Sequence, residues 1–286
     1  MISGNPDIGG SRASLALMAA EELGVDYEKV RPVIADTASI GFNFVTGGSR
    51  VTFATGLAVV NSVRDMIREL KVRAAKIWNI DPESVTWENG MAKPAGSNVG
   101  EFEPLTLAQL AAQAGKTGGP INGHAQLNVT GAGPGFGVHI CDVKVDGDTG
   151  VVTVGRYTAA QDVGTAIHPS YVEGQLQGGA VQGIGWALNE EYIYNKHGRL
   201  DNPGFLDYRM PVASDLPMIE TVLVEVPNPT HPYGVRGVGE VPIIPPVAAV
   251  GNAVARATGL RLVDLPLSPP KISEALDSAA PRMAAE

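Results

Sequence analysis

The sequence has 286 residues, 44% hydrophobic and 18% charged, a length beyond the usual single domain and a composition that excludes a disordered chain. Its net charge is −9, from 21 basic and 30 acidic residues with no basic block. Nucleic acid is therefore not an expected partner, and a phosphate would have to be held by local amides and dipoles. The single cysteine, Cys141, excludes an internal disulfide and a thiolate-built Fe–S or zinc site, and no apolar run reaches the roughly 18 residues of a membrane span.

In chain order, the first feature is the tetrapeptide GGSR at Gly9, Gly10, Ser11 and Arg12, repeated at Gly47, Gly48, Ser49 and Arg50. In each copy two glycines can expose backbone amides, the serine adds a hydroxyl, and the helix expected to follow brings four unpaired N–H groups and a partial positive charge. A lone copy reads equally well as a flexible loop before an N-cap. Two copies favour an anion cradle, and a pyrophosphate or dinucleotide over a single phosphate. Residues 13–23 predict a helix stopped by Gly24, and 29–36 a strand ending near Asp36. After the second GGSR, Phe53, Leu57, Val60, Val63, Ile67, Leu70, Ala74 and Ile77 form one apolar stripe about seven turns long, which is core.

Thr106 caps a third helix that ends at Gly115, and a Gly/Pro-rich run over 118–137 places a domain boundary after residue 117, giving subdomains 1–117 and 118–286. Residues 138–146, with Cys141 in the core, alternate as a strand; GDTG turns the chain, and 151–160 returns as a hairpin partner. Residues 222–226 read as a further strand, and 277–286 as a frayed tail. The fold class is α+β, two layered α/β subdomains with mixed sheets.

The stretch 168–192 has helical hydrophobic spacing yet contains Gly174, Gly178, Gly179, Gly183 and Gly185. At about 1 kcal/mol each against alanine, these cost roughly 5 kcal/mol. Close approach of a flat ligand would offset that, with Gln175 and Gln182 offering amides on one face, but so would tight helix packing. Glu240 lies between Gly239 and a Val-Pro-Ile-Ile run; buried there, its pKa would rise toward that of a general base, whereas a surface loop is the bland alternative. Asp162 and Asp207 read as turn or structural residues.

Among the histidines His124, His139, His168, His197 and His231 there is no HExxH and no pair at ligand spacing, so no metal held directly by side chains is expected. GxxxxGK[ST] and GxSxG are absent, and GAGPGFG at 131–137 lacks GxGxxG spacing. No basic segment with an apolar core follows Met1, so no signal peptide is expected and the cytoplasm is the default.

In order along the chain, PDIGGSRAS (6–14), TGGSRVT (46–52), QDVGTAIHPSYVEGQLQGGAVQGIG (161–185), NPGFLDYRMP (202–211) and GVRGVGEVPIIPPVAAV (234–250) resemble the C-terminal half of the molybdopterin-binding subunit of the xanthine dehydrogenase/aldehyde oxidase family of molybdenum hydroxylases. The resemblance implies that the GGSR loops bind the phosphates or nucleotide tail of molybdopterin, present as its cytosine dinucleotide. It implies that Gln182, with Gly183, contacts the pterin and that Glu240 is the catalytic base beside molybdenum, which the cofactor's own dithiolene ligates. The reaction would oxidise an aldehyde or aromatic heterocycle with oxygen drawn from water, passing electrons to Fe–S clusters and FAD on partner chains. Two departures stand out. Gly10 and Ser11 replace a Gln-Gly pair found in many members, and only eight residues precede the first GGSR, where the family's subunit continues far upstream. The expectation is a split-gene subunit or truncated fragment that needs an upstream pterin-binding half, an Fe–S subunit and an FAD subunit. The alternatives are a non-catalytic scaffold of the same fold and a subunit of an aromatic thioester reductase.

Overall fold

The computed structural model describes residues 1–34, 36, 38–40, 42–129 and 133–279. The chain packs as two units, one of Met1–Gly133 with Asn228–Val235, the other of Pro134–Pro227 with the chain from Arg236 onward.

The first unit begins with β1 (Ile2–Ser3), crosses through α1 (Ser11–Leu23) and returns as β2 (Val33–Ile34), which pairs with β1 in parallel. The strand expected over 29–36 shrinks to these two residues, because residues 27–29 turn as a 3₁₀ helix first; Ala35 lies outside the described residues. Helix α1 stops at Gly24, whose left-handed φ of 72° lets its N–H reach the carbonyls of Ala20 and Glu21. After the second GGSR the backbone makes a π turn, Val51–Thr55, before α2 (Gly56–Trp78). In α2, Val59, Ala75 and Trp78 are buried together with Val60, Val63, Leu70 and Ala74, and Phe53 of the π turn is buried as well, while Leu57, Ile67 and Ile77 are half-buried. Gly56 lets α1 approach, since a Cβ there would stand 2.8 Å from Met18 Sδ.

An antiparallel sheet follows, β3 (Val85–Glu88), β4 (Met91–Pro94) and β5 (Leu105–Thr106), before the short helices α3 (Leu107–Ala112) and α4 (Ala114–Thr117). The β3–β4 turn is Asn89-Gly90, both at positive φ (53° and 71°), the residue pair that a two-residue hairpin favours. It docks on the end of α1, where Trp87 Nε1 donates to the Leu23 carbonyl at 2.9 Å. A Cβ on Gly90 would stand 2.5 Å from the Gly24 oxygen. Gly90→Ala is therefore expected to lower stability by roughly 1–3 kcal/mol, read from the midpoint of denaturant unfolding.

Residues 118–133, which follow the boundary expected after residue 117, pack with the first unit. The intervening run is strapped to α2: Arg73 donates to the Gly118 oxygen at 3.2 Å, Lys76 to the Thr117 oxygen at 3.1 Å, and the His124 N–H to Asp65 at 3.0 Å.

The second unit is built on a three-stranded mixed sheet, β6–β7–β8. Strand β6 (Gly137–Val145) pairs antiparallel with β7 (Val152–Asp162), and β7 crosses through α5 (Pro169–Leu188) to the parallel strand β8 (Ile219–Val224). Tyr157, Ala159 and Ile219 face Ala180, Ile184 and Ala187 of α5 and Val250 and Val254 of α6 (Ile244–Thr258). Half-buried Cys141 packs against this core, and burial, with Asp142 beside it, pushes its thiol up to about 11. The chain ends with α7 (Pro269–Ala279); the rest of the expected tail, and Gly131 and Ala132 of GAGPGFG, lie outside the described residues. The architecture is α+β with mixed sheets.

Candidate functional site

Both GGSR loops belong to the first unit, and Asn5 holds their surroundings together. Buried to 1% exposure, it donates to the Thr55 hydroxyl beyond the second loop and accepts from the Asn43 amide ahead of it, while its own chain leads into the first loop.

The loops then differ. In the first, Gly9 and Gly10 take positive φ (61° and 75°) and turn the chain into α1. The first amides of α1 are already bonded: Ser11 N–H to the Ile8 oxygen at 3.2 Å, Arg12 N–H to Asp7 Oδ1 at 2.9 Å, and Ala13 N–H to the Gly10 oxygen at 3.0 Å. Asp7 also pairs with the Arg12 guanidinium at 3.2 Å. The carboxylate of the chain itself thus holds the place at this helix start where an external phosphate was expected.

The second loop is open. Gly48 and Ser49 both take positive φ (66° and 59°), and a Cβ on Gly47 or Gly48 would meet nothing within 4 Å. Thr46 Oγ1, one residue ahead, is buried with no hydrogen-bond partner, an orphan that a polar ligand would satisfy. Arg50 folds back over Phe44, its guanidinium 5.6 Å from the ring centroid, and donates to the Val45 oxygen at 3.4 Å.

In the second unit the glycines of α5 divide into two sets. A Cβ on Gly179 would lie 2.5 Å from Pro242 Cγ, one on Gly183 2.7 Å from Pro246, and one on Gly185 2.6 Å from Pro211. These three serve close packing. Gly174 and Gly178 meet nothing within 4 Å, and with exposed Gln182 they form a row one turn apart where a flat group can approach the backbone. Gln175 is half-buried.

The notches at Gly179 and Gly183 receive the 3₁₀ turn Val241–Ile243 and the start of α6, and Glu240 is the residue that opens this turn. Glu240 thus opens the turn that packs on α5, the helix that also carries Gln182. Of the two settings the sequence left open for Glu240, the structure has the exposed one, because Val241 and Pro242 turn inward against Gly135 and α5 rather than covering the carboxylate. Its candidacy as a base therefore rests on its motif.

Three residues stand out here that the sequence did not single out, Thr46, Gln161 and Arg236, and Asp162, read as structural, gains a partner. Gln161 is 1% exposed with neither amide atom bonded, in register with Gly137, over which Pro245 and Val241 lie. Asp162 and Arg236 form a nearly buried ion pair at 3.1 Å. Within the second unit, the orphaned Gln161 amide and the open glycine row suit a polar, flat cofactor. Among the described residues no group of three His, Cys, Asp or Glu could hold a metal ion.

Open glycine turns and orphaned buried amides and hydroxyls are the features that an α+β protein binding a polar cofactor presents. Residues 1–217 match the molybdopterin cofactor-binding domain. The chain is 34% identical over 283 residues to the xanthine dehydrogenase molybdenum-binding subunit of Escherichia coli O157:H7, covering 95% of this chain and 37% of that one. It is 33% identical over 276 residues to the nicotine 6-hydroxylase large subunit of Paenarthrobacter nicotinovorans, covering 93% and 34%. Among solved structures, quinoline 2-oxidoreductase from Pseudomonas putida 86 superposes with a TM-score of 0.84 at 27% identity, over 96% of this chain and 36% of that one. The chain belongs to the molybdopterin cofactor-binding family of the molybdenum hydroxylases and spans about a third of the length of these relatives.

Proposed function

We propose that the chain is the cofactor-binding, base-carrying part of a molybdenum hydroxylase that oxidises an aldehyde or an aromatic heterocycle with oxygen drawn from water. The observation that carries this reading is the match along nearly the whole chain to subunits named for xanthine dehydrogenase and nicotine 6-hydroxylase. When bound, the cofactor, a molybdopterin in its cytosine dinucleotide form, supplies a metal centre that takes two electrons from the substrate. The second GGSR loop holds its phosphate groups through the amides around Gly48 and the hydroxyls of Thr46 and Ser49. Gln182 donates to and accepts from the pterin, whose flat ring system suits the open backbone of Gly174 and Gly178. Glu240 takes the proton released as oxygen is delivered.

An upstream pterin-binding half, an Fe–S subunit and an FAD subunit complete the enzyme in this reading, in the cytoplasm. Phe205 and Leu206, 89% and 90% exposed, give apolar area for a partner chain to cover. No helix among the described residues is long and apolar enough to cross a membrane. One observation favours a second reading, a scaffold that binds no cofactor: Asp7 already fills the first helix start.

The test is oxidation of xanthine, nicotine, quinoline and an aromatic aldehyde by the complex purified from its native source, with an artificial electron acceptor. The chain expressed alone is expected to be inactive. Turnover by the homogeneous isolated chain loaded with cofactor would overturn the partner requirement.

A further inference from the structure

The stretch that delivers Glu240 is held very differently on its two sides. Downstream, Val241, Pro242 and Pro246 sit in notches left by Gly135, Gly179 and Gly183. Upstream, Gly237 and Gly239 separate Glu240 from Arg236, and glycines do little to fix a backbone by themselves. Arg236 therefore decides where the upstream limb starts.

Its guanidinium is tied to three separate segments. Nε lies 3.1 Å from Asp162 Oδ2 and 3.2 Å from the Val226 oxygen beyond β8, and Nη1 donates to the Pro134 oxygen ahead of β6 at 2.8 Å. The side chains of Arg236 and Asp162 are only 11% and 12% exposed, so the pair is little screened by solvent. Asp162 is itself rigidly placed at the end of β7: its N–H donates to the Phe136 oxygen at 2.8 Å, and its Oδ1 accepts from the Gly164 N–H at 3.0 Å.

We propose that Asp162 and Arg236 are positioning residues, a clamp that fixes the upstream limb of the Glu240 loop to the end of β7 and so sets where the Glu240 carboxylate stands. The inference rests on the reading of Glu240 as the base. Loss of either partner leaves the fold's sheet and helices in place but loosens residues 237–240, upstream of the seated Val241. Misplacement of a reacting group by about 1 Å can cost on the order of a hundredfold in rate. Lysine at 236 can still reach Asp162 as a point charge, though it lacks the fork that also binds the Pro134 and Val226 carbonyls.

The primary test is amide hydrogen exchange on the full chain, comparing Asp162→Asn, Arg236→Met, the double variant and Arg236→Lys. Exchange of residues 237–240 is expected to speed up about tenfold in each single variant, no further in the double variant, and to recover substantially in Arg236→Lys. Exchange in the β6–β7 hairpin should stay unchanged, which separates loss of the clamp from unfolding; the near-isosteric Asp162→Asn serves if Arg236→Met misfolds. In the assembled enzyme the single variants should lower kcat by about ten- to a hundredfold with KM held within about twofold. Unchanged loop exchange, additive effects in the double variant, or faster exchange with normal kcat would each overturn the clamp as a positioning device. A silent Glu240→Gln beside a responsive loop would instead remove the assignment of Glu240 as base and leave the clamp standing.

Discussion

Glu240→Gln is expected to lower kcat of the assembled enzyme at least about a hundredfold, the scale of a lost general base, with molybdenum and pterin content unchanged. Glutamine keeps the length and the hydrogen-bonding shape of glutamate but cannot take a proton. Glu240 is exposed at the start of the Val241–Ile243 turn, and the unfolding midpoint of the variant checks that folding is retained. Any large loss of activity then belongs to the chemistry. Steady-state kinetics at matched molybdenum content check this, and near-normal kcat would reject the assignment.

The second large effect separates the two GGSR loops. Ser49→Asp is expected to expel the cofactor, since it sets a carboxylate against phosphate in an open loop. Aspartate tolerates the left-handed backbone found there, φ 59°, so the variant should fold. Ser49→Ala should be milder, losing about 0.5–1.5 kcal/mol, or up to roughly 3 if the partner is ionised. The sequence places Ser11 in the same role, but Ser11 is buried, its hydroxyl faces the Pro6 oxygen, and the helix start beside it holds Asp7. Ser11→Asp should therefore damage folding, as buried like charges would, rather than selectively empty the site. Molybdenum and pterin content, with circular dichroism to confirm folding, distinguishes the two. Full occupancy in Ser49→Asp would make the second GGSR a packing turn.

Local chemistry made much of this architecture readable. Gly24 announces the end of α1, Thr106 and Gln109 form the capping box of α3, and GDTG joins β6 to β7. The Asn89-Gly90 hairpin carries as strong a turn signal, but its strands are only four residues each and the second, Met-Ala-Lys-Pro, does not alternate. Helix α6 begins at a Pro-Pro pair, which reads as a breaker until the prolines are seen in the first turn, where no N–H is needed. What the residues could not show is which polar groups satisfy one another across the chain. Asp7 capping α1 is hidden by its resemblance to any loop aspartate. Asp162 looked structural because Arg236 is remote in sequence. The inward turn of Val241 and Pro242, which leaves Glu240 exposed, depends on glycines in α5 whose purpose was open until their neighbours were known.

The most direct measurement is the molybdenum and pterin content of the folded chain purified with whatever accompanies it in its native source, by elemental analysis and by fluorescence of the oxidised pterin. The account predicts one molybdenum and one pterin per chain, both lost in Ser49→Asp and retained in Glu240→Gln. A correctly folded, fully assembled protein with neither would contradict it and leave the fold as a scaffold.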